Sequence, residues 1–200
     1  MFSRITLTFT LSILAMLALA APRAEATLIP FQAVLSGSQE VPPNGSAASG
    51  VAELTLNDAQ TRLEMSIQLF GLDLDGNQTP DDNDNVTRMH IHVAPFGVNG
   101  GIVFGLIAPD NDVNGDLLID PVAGTLFSAW DLTEGNATTL ADQLPNLFNE
   151  GLYLNVHTPA FPGGEIRGQI TRVVEPGTAV LLGMGLLMLA RRREPASTTF

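Results

Sequence analysis

Between residues 27 and 172 the chain alternates apolar and polar positions with a period of two. In TRLEMSIQLF, Leu63, Met65, Ile67 and Leu69 fall on one face, and Arg62, Glu64, Ser66 and Gln68 fall on the other. VAELTL aligns Ala52, Leu54 and Leu56, and EIRGQI sets Ile166 and Ile170 against Glu165, Arg167 and Gln169. A strand reads this way when one face meets a core and the reverse is wet or lightly covered. Further strands are predicted near 30–36, 87–94, 101–107, 125–131 and 151–157, with Gly, Pro, Asn and Asp clusters between them. Short strands in this number predict an all-β domain, an antiparallel β-sandwich of two sheets. One helix is predicted near 138–148 (TTLADQLPNLF), limited to about two turns by Pro145.

The two ends break this pattern. The chain opens with MFSR, an apolar run of 16 residues and then APRAEA. That order predicts a secretory signal peptide over 1–26, cut after Ala26, with Ala18-Leu19-Ala20 as a second possible site. At the other end, Glu175-Pro176 stops the last strand. An apolar run of 14 residues, Gly177 to Ala190, leads into Arg191, Arg192 and Arg193. An apolar helix with arginines on its cytoplasmic side is the expectation for 173–200. The order of Pro-containing motif, apolar helix and Arg cluster resembles the bacterial PEP-CTERM sorting signal. That resemblance implies membrane targeting and processing by an exosortase. The motif here is Val-Glu-Pro in place of Pro-Glu-Pro, and EPASTTF follows the arginines. A plain C-terminal membrane anchor would give almost the same topology.

Composition narrows the partners. There is no cysteine, which excludes disulfides and thiolate metal sites. Residues 27–172 carry 18 acidic side chains against four arginines, a net charge of −14. Such a field repels phosphate backbones and excludes nucleic acid as a partner, whereas cations suit it.

Several stretches, taken in order, resemble one family. FQAVLSGSQEVPP, SAASGVAELTL, HIHVAPFGVNGGIV and GLYLNVHTPAFPGGEIRGQI are similar to the chordin-type, or CHRD, domain over about residues 29–172. The resemblance implies an extracellular β-sandwich of immunoglobulin-like character and no established activity. The expected function is an exported, non-enzymatic cell-surface or matrix module that contacts envelope or extracellular components. The sequence departs from the family in an acidic insertion, DLDGNQTPDDNDN at 73–85, read as a solvated loop.

The alternative function lies in the three histidines. Met89, Ile91 and Val93 alternate with His90, His92 and Ala94; Leu152, Leu154 and Val156 alternate with Tyr153, Asn155 and His157. The aliphatic side chains form one face and the histidines point to the other. Strand residues two apart lie roughly 6.6–7 Å apart. If the strand of His157 pairs with that of His90 and His92, three nitrogens meet at the outer surface as ligands for Cu or Zn. His-x-His also invites comparison with copper-zinc superoxide dismutase, but three histidines are too few for that two-metal site. Against metal binding stands simple packing, with Thr158, Asn155 or Glu165 as hydrogen-bond partners. Glu165 and Arg167 share a strand face at ion-pair spacing.

A second cation reading falls on PDNDVNGDLLIDP. Asp110, Asp112, Asn114 and Asp116 supply oxygen at alternate positions around Gly115, the start of a Ca²⁺ loop. Pro121 stands where such a loop places its bidentate Glu. No nucleophile motif, Walker motif or dinucleotide fingerprint occurs.

Overall fold

The computed structural model describes residues 28–173 and the single position Met184. Ten strands form one antiparallel sheet: β1 (Ile29–Ser36), β2 (Ser49–Leu56), β3 (Arg62–Phe70), β4 (Arg88–Val93), β5 (Gly101–Ile107), β6 (Leu118–Asp120), β7 (Thr125–Asp131), β8 (Leu152–His157), β9 (Ile166–Gln169) and β10 (Thr171–Arg172). Eight of these match predicted segments; β6 and β10, of three and two residues, carry too little pattern to be read from sequence. The strand order is β5-β4-β8-β9-β1-β2-β3-β7-β6, with β10 beside β1.

This order corrects the expected immunoglobulin-like sandwich. The two halves of the molecule are not separate sheets, because β1 joins them. Along one edge it pairs with β2 over its full length, and along the other it meets β9 at Ser36 and β10 at Phe31 and Gln32. The single sheet curls into a half-barrel. Phe104 of β5 and Trp130 of β7, near opposite ends of the strand order, stack with ring centroids 4.9 Å apart. The backbone N–H of Asn136, just beyond β7, also donates to the Val103 carbonyl of β5 at 2.7 Å. Period-two alternation cannot tell a curled sheet from two stacked ones, since both bury every second residue.

The concave side holds the core. Phe31, Leu35, Leu54, Leu63, Met65 and Ile67 from one half meet Met89, Ile91, Leu154, Val156 and Ile166 from the other. Each such side chain contributes about 1.5–3 kcal/mol through burial. The predicted helix is present as α1 (Leu140–Phe148). Thr139 caps it, exchanging hydrogen bonds with Asp142 in a capping box. Pro145 removes the bond to Ala141, a residue on the exposed side, so the helix survives. Leu140 and Leu147 enter the core, and Phe148 packs on Phe31 at 5.9 Å between centroids.

The signal-peptide reading of 1–26 and, apart from Met184, the apolar run Gly177–Ala190 fall outside the described residues. Among the described residues α1 is the only α-helix of any length, and no helix is long and apolar enough to cross a membrane. The expected C-terminal apolar helix, the transmembrane anchor and the anchored cell-surface location are therefore corrected to this extent: no described helix supplies them. Length argues the same way: a run of 14 apolar residues would span only about 21 Å even if wholly helical, against about 30 Å of bilayer hydrocarbon.

Candidate metal centre

Strands β4 and β8 lie side by side. Their register sets His90 opposite Asn155, His92 opposite Tyr153 and Arg88 opposite His157. The aliphatic residues between them face the core, as their alternation predicts. The histidine face, expected to be wet, is instead roofed by loops: His90 is 1 % exposed and His157 7 %. Asn44 donates to the carbonyls of Gly164 and Glu165, Asn99 to that of Val41, and Gln169 to those of Ala94 and Glu150. These bonds tie the segments around 40–46, 94–100 and 160–165 over the strand face.

Each imidazole is held in the same manner. His90 Nε2 lies 3.0 Å from the Ala108 carbonyl, His92 Nδ1 3.0 Å from that of Gly100, and His157 Nδ1 3.1 Å from that of Pro162. A carbonyl only accepts, so each of these ring nitrogens carries the proton and donates. The other nitrogen of each ring, His90 Nδ1, His92 Nε2 and His157 Nε2, is then a bare lone pair. All three are shut off from solvent and have no partner. One nitrogen from each ring lies within 4.8 Å of the others. The ring centroids are 5.1 Å (His90–His157), 5.5 Å (His90–His92) and 6.4 Å (His92–His157) apart.

Burial keeps these rings neutral. It pulls the His92 and His157 imidazoles down to about 4, with lesser help from neighbouring rings and arginines, and it lowers His90 as well. Neutral, tautomer-fixed imidazoles whose second nitrogen bonds a carbonyl are the form in which histidine ligates metal. Bound donors at about 2.0–2.1 Å from one ion stand about 3.3–3.6 Å apart. Closing from the present spacing requires each nitrogen to move less than about 1 Å. The partners considered from sequence are engaged elsewhere: Thr158 bonds Glu165, and the Asn155 amide donates to Glu40 at 2.9 Å.

Two glycines allow the carbonyl clamps. A Cβ on Gly100 would collide with the Val93 carbonyl, and one on Gly105 with that of Pro109. Ala108 itself sits at φ 45°, a left-handed conformation that costs a non-glycine residue roughly 1–3 kcal/mol.

Sequence reasoning missed the stack behind His92. Tyr153 lies parallel to the His92 ring at 4.9 Å, and the Arg167 guanidinium carbon lies 3.4 Å from the Tyr153 centroid. Arg167 does not form the anticipated ion pair with Glu165. It donates to the carbonyls of Val98 and Pro95, while Glu165 accepts from Ser46 and Thr158. Glu40 was also missed. Burial pushes its carboxyl up to about 7, against the opposing pull of Asn155 and Arg167.

A family model for the CHRD domain matches residues 31–170. The chain belongs to the CHRD family. CHRD domains are structural and binding modules, which makes this a non-enzymatic, mostly-β module. No curated protein and no solved structure matches the chain. The match covers every strand of the CHRD sheet that carries a histidine, as well as the acidic loops.

Those loops are built around their own amides. The Asp112 carboxylate accepts from the backbone of Asn114, Gly115 and Leu117. Asp116 pairs with Arg62 at 2.8 Å and accepts from Ala129, and Asn114 donates to Asp131. Asp110 accepts from the Asp112 amide. Asp110, Asp112 and Asp116 thus spend carboxylate oxygens on separate bonds, and Asn114 is held through its side-chain nitrogen. In the 73–85 insertion Asp73 does the same, accepting from Asp75, Gly76, Gln78 and Thr79.

Proposed function

We propose that this protein is an exported CHRD module that holds one transition-metal ion, copper or zinc, between His90, His92 and His157. One observation carries the reading: each of the three rings, fixed by a backbone carbonyl, keeps a buried nitrogen without a partner, and one nitrogen from each ring lies within 4.8 Å of the others. A buried polar atom left unsatisfied costs roughly 1–3 kcal/mol, and three at one point are hard to account for unless something binds them. Export rests on the signal-like pattern of residues 1–26. The module role follows from the family: the metal fastens the β4–β8 ribbon and the loops over it, and no reacting substrate is required.

Metal analysis of the untagged protein tests this. One equivalent of copper or zinc is expected in wild type and none in His92→Ala. Equal, weak uptake by both would reduce the histidines to packing residues.

A further inference from the structure

The same pocket says which ion it suits. We propose that the His90–His92–His157 pocket is selective for monovalent copper over Zn²⁺ and Cu²⁺. The inference rests on the metal-centre reading above and adds the charge and coordination number of the ion.

Donor number comes first. Three rings come together with one nitrogen of each within 4.8 Å of the others, and the free nitrogen of each ring is closed to solvent. Zn²⁺ at a three-histidine site takes a fourth ligand, ordinarily water, and Cu²⁺ prefers four or more in a tetragonal array. Cu⁺, with a filled d shell and a single charge, is content with two or three donors and needs no water. Asn155, directly opposite His90, has an oxygen without a partner, but its amide group is engaged by Glu40.

Charge points the same way. All three ligands are neutral, and the groups behind them are backbone carbonyls rather than carboxylates. The formal charges acting on the rings come from Arg88, beside His157 on β4, and from Arg167, stacked through Tyr153 on His92. Among the described residues no carboxylate hydrogen-bonds a ring; Glu40 reaches Asn155, opposite His90, and not the imidazoles themselves. The desolvation cost of an ion rises with the square of its charge, so a divalent ion is about fourfold more expensive to bury here.

The test is competition on the untagged, full-length protein without oxygen. Cu⁺ is titrated against a chromophoric Cu⁺ chelator, and Zn²⁺ and Cu²⁺ against their own indicators. Cu⁺ is expected to bind at least about tenfold more tightly than either divalent ion. X-ray absorption of the Cu⁺ form should show three nitrogen neighbours. Nitrogen-15 spectra should place the ion on His90 Nδ1, His92 Nε2 and His157 Nε2. A second variant isolates the charge argument: Arg88→Glu, at an exposed position, should narrow the preference for Cu⁺ over Zn²⁺. Zn²⁺ or Cu²⁺ binding as tightly as Cu⁺, or a fourth oxygen ligand from water or Asn155, would overturn the selectivity while leaving a metal centre. Uptake of none of the three ions would sink both.

Discussion

Arg167 lies over Tyr153, its guanidinium carbon 3.4 Å from the ring centroid, and both side chains are almost wholly buried. The stack continues to His92, so a cation on β9 sets the position of an imidazole two strands away on β4. The same guanidinium holds the 95–98 loop through two carbonyls. Replacement by methionine keeps bulk but leaves those carbonyls unpaired. Arg167→Met should lose roughly 2–4 kcal/mol of stability in urea denaturation. Arg167→Lys should recover little of it, since an ammonium cannot both lie over the ring and fork to two acceptors. Full recovery by lysine would show that charge alone matters there.

The buried imidazoles make the metal-free protein acid-sensitive. In the folded chain His92 and His157 ionise near 4, below their ordinary 6.5, so the fold favours their neutral forms. Their stabilising contribution is fully present above about pH 6.5 and is lost as the pH falls towards 4. The loss is on the order of 2 kcal/mol per ring. Melting temperatures of metal-free protein from pH 7 to 4 should fall steeply, and a flat profile would contradict neutral burial.

Glu40 slopes the other way. Its folded value, about 7, stands above its ordinary 4.5, so the fold favours the protonated acid. That contribution is complete below about pH 4.5 and disappears as the pH rises through 7. Glu40→Gln keeps a neutral side chain of the same shape that still accepts from Asn155. It should stabilise the protein by about 1–3 kcal/mol at pH 8 and have little effect at pH 5. Equal effects at both pH values would show that Glu40 ionises normally.

Calcium is expected to do little. The oxygens of Asp112 and Asp116 are spent on backbone amides and Arg62. Millimolar Ca²⁺, set against a chelator, should leave the melting temperature within error. A rise of several degrees would mean that the loop rearranges around the ion.

Much of this was legible in the alternation of side chains. Leu63 to Leu69, Met89 to Val93 and Leu152 to Val156 announce their strands and which side meets the core, because a pleat admits no other division of faces. The apolar spacing of 138–148 similarly announces α1. The histidine pairing was also legible: two on one strand at spacing two, and a third on another with the same face polar. The roof over that face was not. It depends on Asn44, Asn99 and Gln169 reaching carbonyls far away in sequence, bonds that no local pattern records. The Arg167–Tyr153–His92 stack was hidden for the same reason, since it needs the order β4-β8-β9. Closure into one curled sheet turned on β1 having neighbours on both edges, which its own sequence does not declare.

The last prediction concerns Gly100, where the clamp on His92 can be moved without touching a ligand. Its carbonyl accepts from His92 Nδ1 at 3.0 Å, and its amide donates to the Tyr153 hydroxyl at 3.1 Å. A methyl group at this position runs into the Val93 carbonyl, so the backbone must shift and both bonds must lengthen. Gly100→Ala should cost about 1–3 kcal/mol of stability. Because it frees the ring that the carbonyl orients, it should also weaken metal binding about 10–100-fold, the usual effect of losing a partner behind a ligand. Gly101→Ala is the matched control. Its added Cβ meets nothing within 4 Å, so stability should stay within about 0.5 kcal/mol and affinity should not change. Chelator competition and thermal melts on the two variants together read both quantities. If the two variants behave alike, the Gly100 carbonyl does not position His92, and the ring must be held by Tyr153 alone.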